Sequence, residues 1–157
     1  MCLLLSWHVM PSPEEEFVKV VIDVSDPDMG VGGERVWAVA LGDDVYEIRN
    51  SPWYARNVNW GDWVRAIAPA EDQWPVFESV VKRSGHRTIH IIFLDGGLQR
   101  KAEILRELNE LGASYENNDS KMYAVDCSPE TDAASVIRYL EKVESENLLE
   151  FQVNLYE

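Results

Sequence analysis

The chain of 157 residues carries 28 acidic and only 14 basic side chains, a formal net charge of -14 at neutral pH. Such an excess of negative charge repels nucleic acid and anionic membranes and attracts basic partners, so binding to nucleic acid or to a membrane is not expected. The length and a hydrophobic content of 46% predict a folded protein with a sizeable core.

Residues 1–15 are predicted to be an N-terminal tail. Their apolar run lacks a positively charged flank, and Trp7, His8 and two prolines interrupt it well before a membrane-spanning length. We therefore expect a cytoplasmic protein. The two cysteines, Cys2 and Cys127, show no metal-ligand spacing, so we expect no disulfide framework, no metal and no other cofactor.

Residues 16–86 are predicted to form a β-rich module. Short segments with alternating apolar and polar residues recur between turn-forming residues, a pattern typical of strands. The first segment is EFVKVVIDV, and ERVWAVALGDDVYEIRN from Glu34 indicates a hairpin because its Gly-Asp-Asp turn tolerates positive φ. Together with DWVRAIAPA and WPVFESVVKRS, about five strands predict a small β-barrel or a strongly bent sheet.

Residues 87–157 are predicted to form a ferredoxin-like module. TIHIIFLD indicates a buried strand, and LQRKAEILRELNELG a helix that ends at Gly112. Two strands follow, then a helix with Ser128 as N-cap and Pro129 at its first position, then the strand LLEFQVNLY. This βαββαβ order predicts two helices on one face of a four-stranded antiparallel sheet. We expect an α+β protein in which the barrel-like module packs on the ferredoxin-like module.

The tryptophan-rich segment NSPWYARNVNWGDWVR, residues 50–65, fits either a core or a ligand-binding surface. Tryptophan and tyrosine dominate interface hot spots, but they also bury large areas in cores. We expect burial to anchor Trp53 and Trp63. Trp60 and Trp74 stay open to either interpretation and are candidates for partner binding.

The segment RSGHRTIH is the one place in the sequence where a candidate nucleophile, a base and anion-binding groups meet. A catalytic hypothesis would combine Ser84, His86 and Asp62, but a triad requires its members to meet in space. The simpler interpretation is that Ser84 and Gly85 shape a turn while His86 bonds nearby backbone. His86 and His90 without a third ligand do not predict a metal site, and we expect no enzymatic activity.

Acidic pairs in the predicted loops form a candidate partner-binding surface. Asp43 with Asp44 and Glu71 with Asp72 would each suit a solvated loop when taken alone. Together with Trp74, they would place carboxylates and an aromatic ring on one end of the β-module. Such a surface suits the capture of a basic protein, because complementary charge raises the association rate and the specificity.

Several short motifs occur together between the first hairpin and the start of the second module. Their positions are Trp37, Asn50, Pro52, Trp53, Gly61, Asp62, Ser84, Gly85, His86 and Thr88. In combination they resemble a bacterial family known as domain of unknown function 4265, and the resemblance covers about residues 34–156. The resemblance implies no established activity, cofactor or substrate.

The leading functional hypothesis is an acidic inhibitor of a basic protein. In size, charge and lack of catalytic groups, the chain looks like an immunity or antitoxin-like protein, which neutralises a bacterial toxin, commonly a nuclease, by occluding its active site. The first alternative is a small-ligand sensing or regulatory module that uses the open sheet face or a groove between the modules. The second is the enzyme built on Ser84, His86 and Asp62.

Overall fold

The computed structural model describes residues 15–24, 32–117 and 121–154. This part of the chain is an α+β fold, with a closed five-stranded barrel followed by a four-stranded sheet that carries two helices. The predicted α+β class and the predicted barrel are therefore confirmed. The predicted N-terminal tail, apart from Glu15, and Cys2 within it lie outside the described residues.

The barrel comprises the first five strands. Consecutive strands pair antiparallel, and a parallel contact between Val21 and Val76 closes the barrel. Alternation points one side of each strand inward, where burial of a large apolar side chain contributes roughly 1.5–3 kcal/mol. The strands are β1 Phe17–Ile22, β2 Glu34–Gly42, β3 Val45–Ile48, β4 Trp63–Ile67 and β5 Val76–Lys82.

Trp63 lies on the outer face of β4, and its exposure corrects one prediction about the tryptophans. Trp63 is 36% exposed there, and the ammonium of Lys82 lies 4.5 Å from the centre of its ring. The prediction that burial anchors Trp63 was wrong, because β4 directs Val64 and Ala66 into the barrel and Trp63 outward. Trp53 is half-buried.

The second sheet has the strand order β7-β8-β6-β9, and every neighbouring pair is antiparallel. One helix follows the first strand and the other follows the third strand along the chain, which allows both helices to return to the same face. The elements are β6 Arg87–Phe93, α1 Lys101–Glu110, β7 Ser114–Asn117, β8 Met122–Cys127, α2 Ala133–Ser145 and β9 Leu149–Val153.

Strand β6 separates the two faces of this sheet. Ile89, Ile91 and Phe93 point into a core with the buried apolar residues of α1 and α2. Thr88 and His90 point to the opposite face, because successive side chains alternate along a strand. That face is where the barrel module contacts the sheet.

Both helices begin later than the sequence predicted. A 3-10 turn occupies Asp95–Arg100 before α1, although the predicted terminal glycine, Gly112, does follow that helix. The N-cap of α2 is Asp132 and not Ser128. The Ser128 hydroxyl lies 3.2 Å from the Thr131 hydroxyl, and the Ser128 carbonyl accepts a hydrogen bond from the Thr131 amide, so these residues form a turn that ends before the helix.

Candidate functional site

The long loop between β3 and β4, residues 49–62, contacts the open face of the second sheet. The Thr88 amide donates to Oδ1 of Asn59 at 2.9 Å, and Nε2 of His90 donates to the Pro52 carbonyl at 2.6 Å. This second contact places the proton of the neutral imidazole on Nε2. The loop therefore joins the barrel to the sheet through specific hydrogen bonds.

Asn154 at the end of β9 adds a third contact to the same loop. Its buried side-chain amide donates to the carbonyls of Ala55 at 3.1 Å and Val58 at 3.2 Å. Because these carbonyls are buried in an irregular loop, they need a partner outside regular secondary structure. A residue close to the end of the chain thus satisfies the backbone of a loop almost a hundred residues earlier.

The carboxylate of Glu34 fixes the first half of this loop. Glu34 is only 6% exposed, and it accepts hydrogen bonds from the amides of Trp53, Tyr54 and Ala55, the last two at 2.9 and 3.0 Å. Burial raises the pKa of Glu34 above its usual value, and the three backbone bonds oppose that rise. Three convergent amides hold the loop at the start of β2.

The carboxylate of Asp62 fixes the second half of the loop. Asp62 is fully buried and accepts from the Asn59 amide, the Ser84 amide and the guanidinium of Arg83, each at 2.9 Å. Gly61 lies beside it with a φ of 80°, and a Cβ on Gly61 would come within 2.9 Å of the Ser84 Cβ. Close packing and a positive φ therefore both require glycine at this position.

Other residues of the motifs singled out in the sequence complete the same network. The Trp37 amide donates to Oδ1 of Asn50 at 2.6 Å, and the Ser84 hydroxyl donates to the Trp60 carbonyl at 2.5 Å. The turn with Ser84 and Gly85 that the sequence predicted lies between β5 and β6. These residues position the long loop, because each of their hydrogen bonds joins two segments of the same chain.

His86 pairs with a carboxylate that the sequence did not indicate. Its Nδ1 lies 2.8 and 3.0 Å from the two oxygens of Asp126 on β8, and the Trp60 ring stacks on the imidazole at a centroid distance of 6.1 Å. The prediction that His86 bonds nearby backbone was wrong for the ring, although its amide does donate to the Ser84 hydroxyl. Asp62, the acid of the catalytic hypothesis, bonds Ser84 and Arg83 instead.

Charges around His86 set its ionisation. Burial disfavours the imidazolium, but the hydrogen bond and charge of Asp126, with Glu130 and Asp62, raise the pKa of His86 overall. Glu116 on β7 lies on the same face of the second sheet as Asp126. Burial, with a further contribution from the charge of Asp126, raises the pKa of Glu116 to about 7. In the described ranges, no group of three or more histidine, cysteine or carboxylate side chains has the arrangement of a metal site.

The structure brings five of the six predicted partner-binding residues to one end of the barrel. The Ala66 amide donates to the Asp44 carbonyl at 3.0 Å, so the β2–β3 turn lies beside the end of β4, from which the β4–β5 loop continues. All of these side chains are exposed, and Trp74 is 47% exposed. We call this surface the acidic barrel end: Asp43, Asp44, Glu71, Asp72 and Trp74.

Trp60, the sixth predicted residue, lies away from the acidic barrel end. It precedes the start of β4, whereas the β4–β5 loop follows the end of that strand, and its ring packs on His86. Its half-buried side chain belongs with the loop network between the modules. Trp60 therefore does not extend the acidic surface.

The four carboxylates of the acidic barrel end make no ion pair with any residue that the structure describes. The exposed apolar side chains of Leu41 and Ile67 precede the two loops that carry the carboxylates, each at 43% exposure. Arg65 is the neighbouring cation, and its guanidinium reaches the Asp43 carbonyl at 3.4 Å. The surface thus combines unpaired negative charge with accessible apolar area.

Comparison with known proteins identifies the family of this two-module α+β chain. The chain belongs to the family described as Domain of unknown function (DUF4265), whose model matches residues 34–151, and the resemblance of the motifs is thereby confirmed. No curated protein matches the chain. Of the helices that the structure describes, none has the length and apolar character to span a bilayer.

A solved structure shares the fold. It is a hypothetical protein from Neisseria gonorrhoeae, with a TM-score of 0.71 and 22% identity, and the alignment covers 90% of this chain and 95% of that one. At this identity the likeness shows the fold alone. The match extends over both the barrel and the second sheet.

Proposed function

We propose that this protein is a non-catalytic, cytoplasmic binding protein that captures a basic protein partner at the acidic barrel end. Its most specific form would be an immunity or antitoxin-like protein that neutralises a basic bacterial toxin by occluding the active site. The observation that carries this proposal is the group of four exposed carboxylates without ion pairs among the described residues, beside the exposed ring of Trp74.

Unpaired carboxylates favour a charged partner for an energetic reason. No ion pair among the described residues has to break before a lysine or arginine of the partner approaches, and the net charge of -14 attracts that partner over a distance. Charge of this kind mainly accelerates association, whereas a buried aromatic ring supplies much of the binding energy. Trp74, with Leu41 and Ile67 nearby, provides the apolar contact area.

The hydrogen bonds around Ser84 support the non-catalytic part of the proposal. The Ser84 hydroxyl donates to the Trp60 carbonyl and accepts from the His86 amide, so it serves the turn. Nδ1 of His86 contacts Asp126, but the described residues place no candidate nucleophile in a hydrogen bond with that imidazole ring. A triad would require both contacts.

We further propose that the second module is a ferredoxin-like unit. Its support is the strand order, which in the module's own sequence order is second, third, first and fourth, with antiparallel neighbours throughout. The helices that connect the first strand to the second and the third to the fourth share one core. This is the arrangement that the βαββαβ order generates.

A pull-down from the native host, read by mass spectrometry at low and high salt, tests the proposed function. The test variant carries Asp43→Asn, Asp44→Asn, Glu71→Gln and Asp72→Asn. The matched control neutralises four exposed carboxylates of the second module, which removes the same net charge from another surface. Its substitutions are Glu103→Gln, Glu110→Gln, Glu141→Gln and Glu146→Gln.

We expect the wild type and the control to retain a basic protein that high salt releases, and we expect the test variant to lose it. Equal retention by the test variant would remove the acidic barrel end from the proposal. An association rate that does not depend on ionic strength would contradict the electrostatic mechanism, because screening weakens attraction between exposed charges.

A further inference from the structure

A second candidate site is the groove between the β3–β4 loop and the open face of the second sheet. Its volume is about 280 Å³, close to the lower limit for pockets that hold small organic ligands. Trp53, Tyr54 and Arg56 form one wall. The sheet contributes His90, Ile92, Met122, Glu150, Phe151 and Gln152.

The aromatic wall is held in place before any ligand arrives. Glu34 accepts hydrogen bonds from the amides of Trp53 and Tyr54, and Nε2 of His90 donates to the carbonyl of Pro52 just before them. A wall whose backbone is fixed by buried polar contacts loses little conformational entropy on binding, which favours affinity. The groove is therefore preorganised.

The floor of the groove has an exposed apolar centre among polar side chains. Ile92 is 45% exposed there and lies between Met122 and Glu150 in register. With the rings of Trp53 and Tyr54 opposite, this surface suits a flat or branched apolar group. Burial of that group would remove apolar area of both molecules from water.

Arg56 supplies the positive charge of the groove. The side chain is exposed and forms no ion pair within the described parts of the chain. Burial lowers the pKa of His90, the hydrogen bond to the Pro52 carbonyl opposes this effect, and the nearby charge of Arg56 lowers the pKa further. The imidazole is therefore neutral, and the positive charge beside it is that of Arg56. In a chain with 28 acidic side chains, an exposed arginine that has no ion pair among the described residues favours the binding of an anion in this groove.

We propose that this groove binds a small organic monocarboxylate, with the apolar or aromatic body against Ile92 and the aromatic wall and with the carboxylate on Arg56. The guanidinium fork matches a carboxylate in geometry and charge. Glu150 also lines the groove, and its negative charge disfavours a dianion such as a phosphate monoester. The site is separate from the acidic barrel end, so either proposal can fail without the other.

Three probes test the ligand chemistry by saturation-transfer NMR on the full chain. 3-Phenylpropionate has both an aromatic ring and a carboxylate, 2-phenylethylamine has the ring with a cation in place of the carboxylate, and propionate has the carboxylate without the ring. We expect 3-phenylpropionate alone to bind at millimolar concentration and to quench tryptophan fluorescence. Equal binding of the amine, or no binding of 3-phenylpropionate at that concentration, would overturn the proposal.

Matched variants test the contacts. Arg56→Gln should weaken the binding of 3-phenylpropionate by about tenfold or more, since a charge-assisted hydrogen bond is lost. Arg106→Gln, which removes an exposed arginine on α1, should change nothing. Glu150→Gln should tighten binding by about two- to threefold because it removes a repulsive charge. Unchanged affinity in Arg56→Gln, with an unchanged melting temperature, would overturn the assigned contact.

Discussion

Two sets of acidic residues in the barrel module have opposite surroundings. Glu34 and Asp62 are buried, and the carboxylate of each accepts three hydrogen bonds from the chain. The carboxylates of the acidic barrel end are exposed, and the described residues offer them no ion pair. The first set holds the long loop in place, and the second is exposed to solvent.

The difference shows that the role of an acidic residue depends on the donors the fold directs at it. A carboxylate transferred from water to an interior loses several kcal/mol of hydration unless charged or backbone donors replace that hydration. Asp62 recovers it from two amides and Arg83, whereas Asp43 and Asp44 keep their water. Both sets consist of Asp and Glu residues at strand ends or in loops, so residue type and local position alone do not separate them.

Removal of Asp62 should have the largest effect. Asp62→Ala should lower the free energy of unfolding by about 3–5 kcal/mol, because it leaves two buried amides and Arg83 without their acceptor. Asp72→Ala, at the acidic barrel end, is the matched control and should change it by less than about 0.5 kcal/mol. Urea denaturation measures both values. Similar losses in the two variants would contradict the distinction between the two sets.

Gly61 and Gly42 provide a steric version of the same comparison. Both have positive φ, 80° and 97°, but a Cβ at Gly61 would lie 2.9 Å from Ser84, whereas a Cβ at Gly42 would meet no atom of the described residues within 4 Å. Gly61→Ala should cost about 2–3 kcal/mol and Gly42→Ala about 1 kcal/mol, as measured by thermal unfolding. The difference between the two costs measures how closely the long loop packs against the β5–β6 turn. Equal costs would show that only the positive φ, and not this packing, makes glycine necessary at Gly61.

Much of this architecture follows from local pattern. The alternation in EFVKVVIDV and in the Gly-Asp-Asp hairpin predicted β1, β2 and β3, because strand periodicity is a property of neighbouring residues. The acidic pairs were also correctly placed in loops. The barrel became predictable once five such strands were counted.

The contacts that build the site were not predictable in the same way. Asp126 lies 40 residues from His86, and Asn154 lies 99 residues from Ala55, so no local spacing links them. Glu34 was predicted only as the start of a strand, because its neighbours Gly33 and Arg35 give no sign that its carboxylate is buried. The N-cap of α2 was missed because Ser128 and Asp132 are both good caps and tertiary contacts select between them.

Glu116 is a half-buried carboxylate that lacks the donors of Asp62. The described residues give it no hydrogen bond, and burial raises its pKa to about 7. Between about pH 4.5 and 7 the folded state binds more protons than the unfolded state, so this group makes stability fall as the pH rises. The pKa of His86 is also raised above its usual value of 6.5, so the stability that this group contributes is lost as the pH rises through its folded-state pKa, and it acts in the same direction.

Glu116→Gln should therefore stabilise the protein at pH 8 by about 1–2 kcal/mol and have little effect at pH 4. A shift of one pKa unit is worth about 1.4 kcal/mol, and the gain is smaller than the full shift implies because a half-buried group keeps part of its hydration. Chemical denaturation at the two pH values measures this. Glu78→Gln on the exposed face of β5 is the control and should change neither value. A loss of stability at pH 8 would mean that Glu116 has structural donors like those of Asp62.

Neutralisation of the acidic barrel end should have the smallest effect on folding. Asp43 and Asp44 have φ values of 55° and 61°, which asparagine also adopts, so the Asp→Asn substitutions preserve the turn. The fourfold variant defined above should keep its free energy of unfolding within about 0.5 kcal/mol of the wild type, with a slight gain at low salt as repulsion falls. A loss above about 1 kcal/mol would place these carboxylates with Glu34 and Asp62 as structural residues. Retained stability together with a lost partner would separate binding from folding at this surface.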